Sequence, residues 1–279
     1  MPDTPAALLR EGARRLSAGG IAAAEVDARA LLKHRMHIGD AALAARDDEI
    51  VGDSIRREFA RDIARRLSGE PAAYIVGRRE FMGIDFITTP AALAPRPETE
   101  ELTETALAHI LPGRAARALD LGAGCGVIGL SIARLRPQSR VTLADCSEDA
   151  LSLARRNAAQ LNAPARFCRS DWFQHIGEEF DLIVANPPYI AADDSALSAL
   201  HFEPRLALCG GEDGLRALSA VIAGAPQKLR AGGLLFVEHG ATQEEEVRRM
   251  FAAAGFCGIC CRRDLARRPR ITFAVRPRR

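Results

Sequence analysis

Apolar positions recur at two different spacings along the 279-residue chain. Before about residue 70 they return every third or fourth position. Ile55, Phe59, Ile63 and Leu67 share one side of a helix, while Arg56, Arg57, Arg61, Arg65 and Arg66 fill its other faces. The stretches 8–16 and 26–32 have the same spacing, and Ser68-Gly69-Glu70-Pro71 ends it. Residues 1–70 are therefore predicted to form a small helical bundle. From Ala116 onward the apolar runs shorten, at 116–121, 140–145, 165–170, 180–185 and 233–240. Helical segments at 128–135 and 150–161 separate the first three. Strands apolar on both faces belong in a parallel sheet covered by helices. The runs 256–261 and 271–275 have no helix-length spacer between them, which predicts an antiparallel pair at the sheet edge.

The intervening residues 71–97 read as a hairpin linker. In "EFMGIDFITTP" Met82-Gly83 marks the turn and Phe86-Ile87 the return strand. The proline-rich "APRPETE" then leads into a helix over 99–111. The predicted organisation is an α/β chain with a helical domain at 1–70, the hairpin linker at 71–97 and a larger domain at 98–279.

Composition narrows the class. A hydrophobic fraction of 48% suffices for a sizeable core. No apolar run reaches the roughly 18 residues of a membrane-spanning helix. The N-terminal segment has the arginines of a transit peptide, but it carries Asp3 and Glu11 and lacks an apolar secretory core, so it reads as the first helix of the fold. Seven scattered cysteines suit a reducing cytosol better than a disulfide framework. The net charge of +2 is set almost wholly by arginine, since Lys33 and Lys228 are the only lysines. Nucleic-acid binding would need those arginines clustered on one face, and composition leaves that open.

Candidate chemistry begins at "LDLGAGCGVIGL", where the first strand meets the first helix of the larger domain. Gly122, Gly124 and Gly126 allow a tight turn and a close backbone approach to a ligand. Asp145 ends the second strand, where a carboxylate can accept from ribose hydroxyls. Asp171 and Trp172 follow the third, placed to hold an adenine. Gly124, Gly126 and Gly129 also spell the dinucleotide fingerprint, so the loop alone leaves a nicotinamide cofactor, S-adenosylmethionine or a structural turn open. Asp120 just before the glycines would repel a pyrophosphate, and the antiparallel last strand favours the methyltransferase form of the sheet.

The fourth strand stops on Asn186-Pro187-Pro188-Tyr189. Each proline removes an N–H donor and restricts the residue before it. What is left is a stiff acceptor-rich rim, the Asn186 side-chain oxygen and the Pro187 carbonyl, with Tyr189 alongside. Such a rim suits an –NH₂ group. Two acceptors hold its hydrogens, and the nitrogen lone pair faces a methyl donor. Tyr189 offers its ring face to a sulfonium or a planar target. The reading is an amino-group methyltransferase.

Several further segments carry a family resemblance: "EVDARALLKH" (25–34), "EPAAYIVGRREFMGIDF" (70–86), "APRPETE" (94–100), "LDLGAGCG" (119–126), "SDWF" (170–173), "NPPYI" (186–190), "FEPRLALCGGEDGL" (202–215) and "EHG" (238–240). Over nearly its whole length the chain resembles the bacterial release-factor glutamine N5-methyltransferases, the HemK/PrmC family. The resemblance implies a Rossmann-like, seven-stranded methyltransferase domain with an antiparallel last strand behind an N-terminal helical bundle domain. The implied substrate is the glutamine of the Gly-Gly-Gln loop of peptide chain release factors, and the helical domain helps recognise that protein. The implied cofactor is S-adenosyl-L-methionine, leaving as S-adenosyl-L-homocysteine. Carried onto this chain, Gly122, Ala123, Gly124, Cys125 and Gly126 contact the donor, Asp145 its ribose, and Asp171 and Trp172 its adenine side. Asn186, Pro187, Pro188 and Tyr189 hold the glutamine, with Asn186, Pro187 and Tyr189 as the catalytic residues and Asn186 also contacting the donor. The expectation is a cytoplasmic monomer with no membrane partner and no direct nucleic-acid binding.

Two alternatives stay open. One is a paralogous enzyme acting on a ribosomal-protein glutamine, whose members lack the "PRPETE" form. The other is a nucleic-acid methyltransferase using Arg262–Arg270 and Arg276–Arg279 as a binding surface. The chain also departs from the family pattern. Ala94 stands where an aliphatic residue is common, and "DLARRPR" (264–270) puts Arg267 and Pro269 in place of a glycine and an acid. Cys257, Cys260 and Cys261 are expected to be buried structural residues, not metal ligands. Glu238 and His239 are expected to form a satisfied strand-end pair, and His34 and His37 to sit at the surface. Residues 191–215 are expected to loop over the active site.

Overall fold

The structure is a computed structural model that describes residues 4–264 and 266–278. Asp3, Leu265 and Arg279, which figure in the sequence reading, lie outside the described residues. The chain divides after Arg78 into two compact units.

The first unit is helical, as the 3.6-residue spacing predicts. It contains α1 (Pro5–Ala18), α2 (Ala24–Met36), α3 (Asp40–Ala44), α4 (Asp53–Leu67) and α5 (Ala72–Val76). Thr4 caps α1 through its hydroxyl and Pro5 starts the first turn. Leu16, Leu31, Leu32, Leu43, Phe59 and Ile63 form the core. Ion pairs tie α2 to α4, among them Arg35 with Glu58 at 3.3 Å. Arg35 grips the buried Asp62 with two guanidinium nitrogens, at 2.5 and 2.8 Å, and Arg66 reaches Asp27 at 2.7 Å. The aspartate of "EVDAR" is thus a cross-link between helices. His34 is half-buried and His37 exposed.

A hairpin, β1 (Arg78–Phe81) and β2 (Ile84–Ile87), starts at the boundary and from Arg79 onward belongs to the second unit. Met82 and Gly83 both take positive φ, 52° and 72°, as a two-residue hairpin turn of the primed kind requires. The expected linker is not a separate piece. Ala72 and Ile75 are packed in the first core, while Phe81, Phe86 and Ala92 are buried in the second. Aromatic residues on a short hairpin find a ready apolar surface on the helices beside it, and Phe81 and Phe86 meet edge-to-face at 6.1 Å.

After α6 (Pro97–Ala108) come β3 (Arg117–Leu121), α7 (Val127–Leu135), β4 (Arg140–Asp145), α8 (Glu148–Leu161), β5 (Arg166–Arg169) and β6 (Phe180–Ala185). The short α9 (Ala196–Ala199) and α10 (Arg216–Gly224) precede β7 (Leu229–Glu238), α11 (Glu244–Ala253), β8 (Cys257–Arg263) and β9 (Pro269–Val275). The seven strands lie in the order β5-β4-β3-β6-β7-β9-β8. β9 runs antiparallel to both its neighbours. One face packs on α6, α7, α8 and the hairpin, the other on α10 and α11. The chain leaves β3 toward β4 on one side and returns as β6 on the other, which opens a crevice at the carboxyl ends of these strands.

The cysteines of β8 correct one expectation. Cys257 and Cys260 are exposed and Cys261 is half-buried. An apolar run on an edge strand need not be covered, because here nothing pairs with its outer side. Among the described residues there is no His, Cys, Asp or Glu cluster able to hold a metal, and no helix long and apolar enough to cross a membrane.

The turn between β8 and β9 shows what the departure at Arg267 does. Asp264 accepts from the Arg268 amide at 2.8 Å and the Arg267 amide donates to the Asp264 carbonyl at 2.7 Å. This closure holds Arg267 at φ +61°, a conformation that suits glycine. Arg267→Gly is expected to stabilise the protein by roughly 0.5–1 kcal/mol, the left-handed strain relieved less the entropy glycine adds to the unfolded chain, and denaturant unfolding would measure it.

Candidate active site

The carboxyl ends of β3, β4, β5 and β6 surround a cavity of about 560 Å³. Gly122, Ala123, Gly124, Cys125, Asp145, Asp171, Trp172, Asn186 and Pro188 all line it. Gly126 stands behind the loop as the cap residue of α7. Pro187 and Tyr189 open instead onto a smaller cavity of about 110 Å³, which shares Asn186, Pro188, Leu93, Arg96 and Ala207 with the larger one. The two spaces meet at Asn186.

The loop owes its shape to three positive-φ glycines, at 77°, 55° and 88° for Gly122, Gly124 and Gly126. The amides of Gly122 and Ala123 both donate to the Ala144 carbonyl, at 2.8 and 3.0 Å. Asp145 accepts from the Gly124 amide at 2.8 Å and the Ser147 amide at 2.9 Å. It therefore fixes the glycine loop as well as facing the cavity, and each oxygen keeps a lone pair for a ligand. Trp172 adopts φ +46° and lays its ring over Gly122, where an added Cβ would lie 3.6 Å from it. Ser170 holds that turn by donating to the Trp172 carbonyl at 2.8 Å and accepting from His175 at 2.9 Å.

Asp120 lies beneath the loop and does not line the cavity. Its Oδ2 accepts from the Gly129 amide at 2.7 Å, an orphan donor in the first turn of α7. Gly129 does not line the cavity either, and a Cβ there would come within 2.9 Å of Leu143, so this glycine serves close packing of α7 on the sheet. Burial pushes Asp120 up to about 7. Burial likewise pushes the Cys125 thiol up to about 12, which leaves it inert.

Asn186 is held from behind. Its Nδ2 donates to Thr99 Oγ1 at 3.1 Å, and Thr99 Oγ1 donates to Glu238 Oε2 at 2.8 Å. The Tyr189 hydroxyl donates to Glu238 Oε1 at 3.3 Å. Among the described residues no donor reaches Asn186 Oδ1 or the Pro187 carbonyl. The strand-end segment is clamped from below as well. A Cβ on Gly210 would come within 2.6 Å of the Pro188 carbonyl, and Gln243 donates to the Tyr189 carbonyl at 3.1 Å. A wall over the crevice comes from Glu203, which pairs with Arg96 and accepts from the Ala94 amide at 3.1 Å. Since Ala94 acts through its backbone, a small side chain there preserves the contact. Part of 191–215 thus does border the cavity, through Pro204, Leu206, Ala207 and Cys209.

Comparison with known proteins decides the family. Residues 99–202 match the methyltransferase small domain model and residues 7–77 the PrmC N-terminal domain model. The chain is 45% identical to the release factor glutamine methyltransferase of Bordetella pertussis over 252 residues, 88% of this chain and 93% of that one. It is 41% identical to the protein of that name from Xylella fastidiosa (strain Temecula1) over 282 residues, 99% of each chain. The chain belongs to the release factor glutamine methyltransferase family. A methyltransferase from Pyrococcus furiosus matches in fold, with a TM-score of 0.56 at 18% identity over 78% of this chain and 99% of that one.

As a methyltransferase of this family the protein uses S-adenosylmethionine, and the cavity fits that group on its own evidence. It offers two carboxylates, Asp145 and Asp171, the Trp172 ring and a glycine cradle. Sequence reasoning missed Thr99, Asn157, Glu203 and Glu238 as parts of the site. Asn157 is fully buried and bonds the Cys125 carbonyl at 2.9 Å and both backbone groups of Ile87. Thr99, Glu203 and Glu238 sit inside family-like segments, which was the available signal. Glu238 and His239 are not a pair, since adjacent strand residues point to opposite faces and His239 bonds Thr272 and the Gly240 carbonyl.

The buried Asp120 makes a pH-dependent contribution whose sign follows from linkage. Its native value, about 7, exceeds the ordinary 3.8, so the folded protein holds the proton more tightly and stability from this group falls as pH rises between those values. Asp120→Asn keeps an acceptor for Gly129 and abolishes that slope. Unfolding at about pH 5 and about pH 8 should show the variant gaining on the unmodified protein at the higher pH, and a constant difference would contradict it.

Proposed function

We propose that the protein transfers a methyl group from S-adenosyl-L-methionine to the side-chain amide nitrogen of the glutamine in the Gly-Gly-Gln motif of peptide chain release factors, with S-adenosyl-L-homocysteine as the other product. The observation that carries the reading is the pair of acceptors without donors, Asn186 Oδ1 and the Pro187 carbonyl, in a segment whose Asn186 lines both cavities and whose Pro187 lines the smaller one. The larger cavity accommodates the donor, with Gly122 to Gly126 against it, Asp145 toward the ribose hydroxyls, and Asp171 and Trp172 at the adenine. When bound, S-adenosylmethionine supplies an electrophilic methyl carbon.

The smaller cavity takes the glutamine side chain. Asn186 and Pro187 each accept one N–H of the amide. A free amide nitrogen is a poor nucleophile because its lone pair is delocalised into the carbonyl. Fixing both hydrogens favours localising that pair and directs it at the donor, and orientation of this kind is worth several kcal/mol. Pro188 stiffens the rim, and Tyr189, kept protonated by burial beside Glu238, packs along the planar group. One of the held protons leaves after the new N–C bond forms, so no general base is needed beforehand. The helical unit contributes to recognition of the folded release factor, and the enzyme works as a cytoplasmic monomer.

The test is transfer of labelled methyl to a purified release factor and to one whose Gly-Gly-Gln glutamine is alanine. Label on the first alone is expected. Label on neither, with the cofactor bound, would redirect the assignment to a ribosomal-protein glutamine or nucleic acid. Asn186→Ala should lower turnover at least about 100-fold, because a polar contact made at the reacting group is gone, with cofactor affinity within several-fold. Asp145→Ala should weaken cofactor binding about tenfold or more, since a charged acceptor is lost and the loop it fixes is freed. Calorimetry would read that affinity directly.

A further inference from the structure

Three elements meet in one hydrogen-bonded chain behind the rim. Glu238 ends β7, Thr99 lies in the first turn of α6, and Asn186 and Tyr189 follow β6. Glu238 is 1% exposed and Thr99 3%, so bulk water does not compete with these bonds. The chain has a direction. Both oxygens of the carboxylate accept, one from Thr99 at 2.8 Å and the other from Tyr189 at 3.3 Å. A carboxylate has no proton to give, so the Thr99 hydroxyl must spend its own on Glu238 and has only lone pairs left for Asn186. Asn186 must then turn its –NH₂ toward Thr99, at 3.1 Å, which leaves Oδ1 facing the cavity.

That direction matters because the two ends of an asparagine amide are nearly identical in shape. Packing cannot distinguish them. A flipped Asn186 would present a donor to the substrate –NH₂, and the two would repel. We infer that Glu238 is a positioning residue for methyl transfer: through the Thr99 hydroxyl it sets which end of the Asn186 amide meets the substrate, and with its second oxygen it holds Tyr189. The inference rests on the methyl-transfer reading of the site.

Glutamine is the informative replacement. It has one acceptor and one donor where Glu238 supplies two acceptors, so the Thr99 hydroxyl can receive as well as give and its direction is no longer imposed. Glu238→Gln is expected to lower kcat roughly 100-fold with the cofactor dissociation constant within about threefold, the signature of lost orientation. Thr99→Val, similar in shape but without the hydroxyl, should lose as much, and Thr99→Ser should recover most of it. The double variant Glu238→Gln/Thr99→Val should be no worse than Thr99→Val alone if the two act as one unit. A third reading uses the unmodified enzyme. Burial pushes Glu238 up to about 7, with Glu98 of α6 raising it further and Thr99, Tyr189 and Arg270 of β9 opposing. Its kcat should therefore fall as pH drops below about 7, where the carboxyl gains a proton it can donate to Thr99 and so reverse the chain.

An active unmodified enzyme whose folded Glu238→Gln or Thr99→Val variant turns over at the normal rate overturns the inference alone. No transfer by the unmodified enzyme overturns the functional reading and the inference with it. Should Glu238→Gln fail to fold, the comparison of Thr99→Val with Thr99→Ser and the pH profile decide the matter. Equal kcat in those two threonine variants, or a profile flat through pH 7, would overturn it.

Discussion

A polar group removed from water must be given partners, and that requirement shapes the crevice more than any single contact with a ligand. Three buried side chains meet it by reaching far along the chain, and Asp120 meets it locally and through one oxygen only. Glu238 joins α6 to the end of β6, Glu203 joins residues 94–96 to the segment after β6, Asn157 joins β2 to the glycine loop, and Asp120 joins β3 to the start of α7. Each would be costly to leave unsatisfied, so each pins two segments in one relative position. The walls of the cavity are therefore rigid for reasons that have nothing to do with what enters it.

The same requirement explains which parts of the architecture could be read from the sequence. The glycine loop, Asp145, Trp172 and the Asn-Pro-Pro-Tyr segment announce themselves because their geometry is local. A glycine needs φ > 0, a proline removes a donor, and a strand end faces a crevice. The strand and helix pattern was legible for a similar reason, since period and run length report burial on one or two faces. Glu238 and Thr99 are separated by 139 residues, and nothing in either neighbourhood points to the other. Only the topology, with β6 beside β7 and α6 lying across them, brings them together.

Two misreadings have the same root. Cys257, Cys260 and Cys261 lie in an apolar run, but β8 is the edge of the sheet, and apolar character there does not guarantee cover. Residues 71–97 looked like a connection because they are short and rich in turns. Yet Phe81 and Phe86 carry enough apolar surface to make the hairpin part of the main core. In both cases the sequence states what a residue would prefer, and the position in the fold decides whether that preference is met.

The buried acids also show where the fold accepts a cost. Asp120 and Glu238 both sit far above their ordinary values because burial disfavours their charge. A well-packed apolar residue at either place would serve stability as well or better. At Asp120 the return is a fixed loop, since its oxygen holds the helix amide that would otherwise lie open beneath the glycines. At Glu238 stability offers no comparable return, because Thr99 and Tyr189 could be replaced together with it by apolar groups. What an apolar trio could not supply is direction. On the proposed reading, an asparagine that must show its oxygen to an incoming –NH₂ needs a neighbour that can only accept, and that neighbour needs another behind it whose polarity is set by charge. A carboxylate is the simplest group that terminates such a series, and the cost of burying it is the expected mark of a site where orientation, not strength of binding, is what the structure must secure.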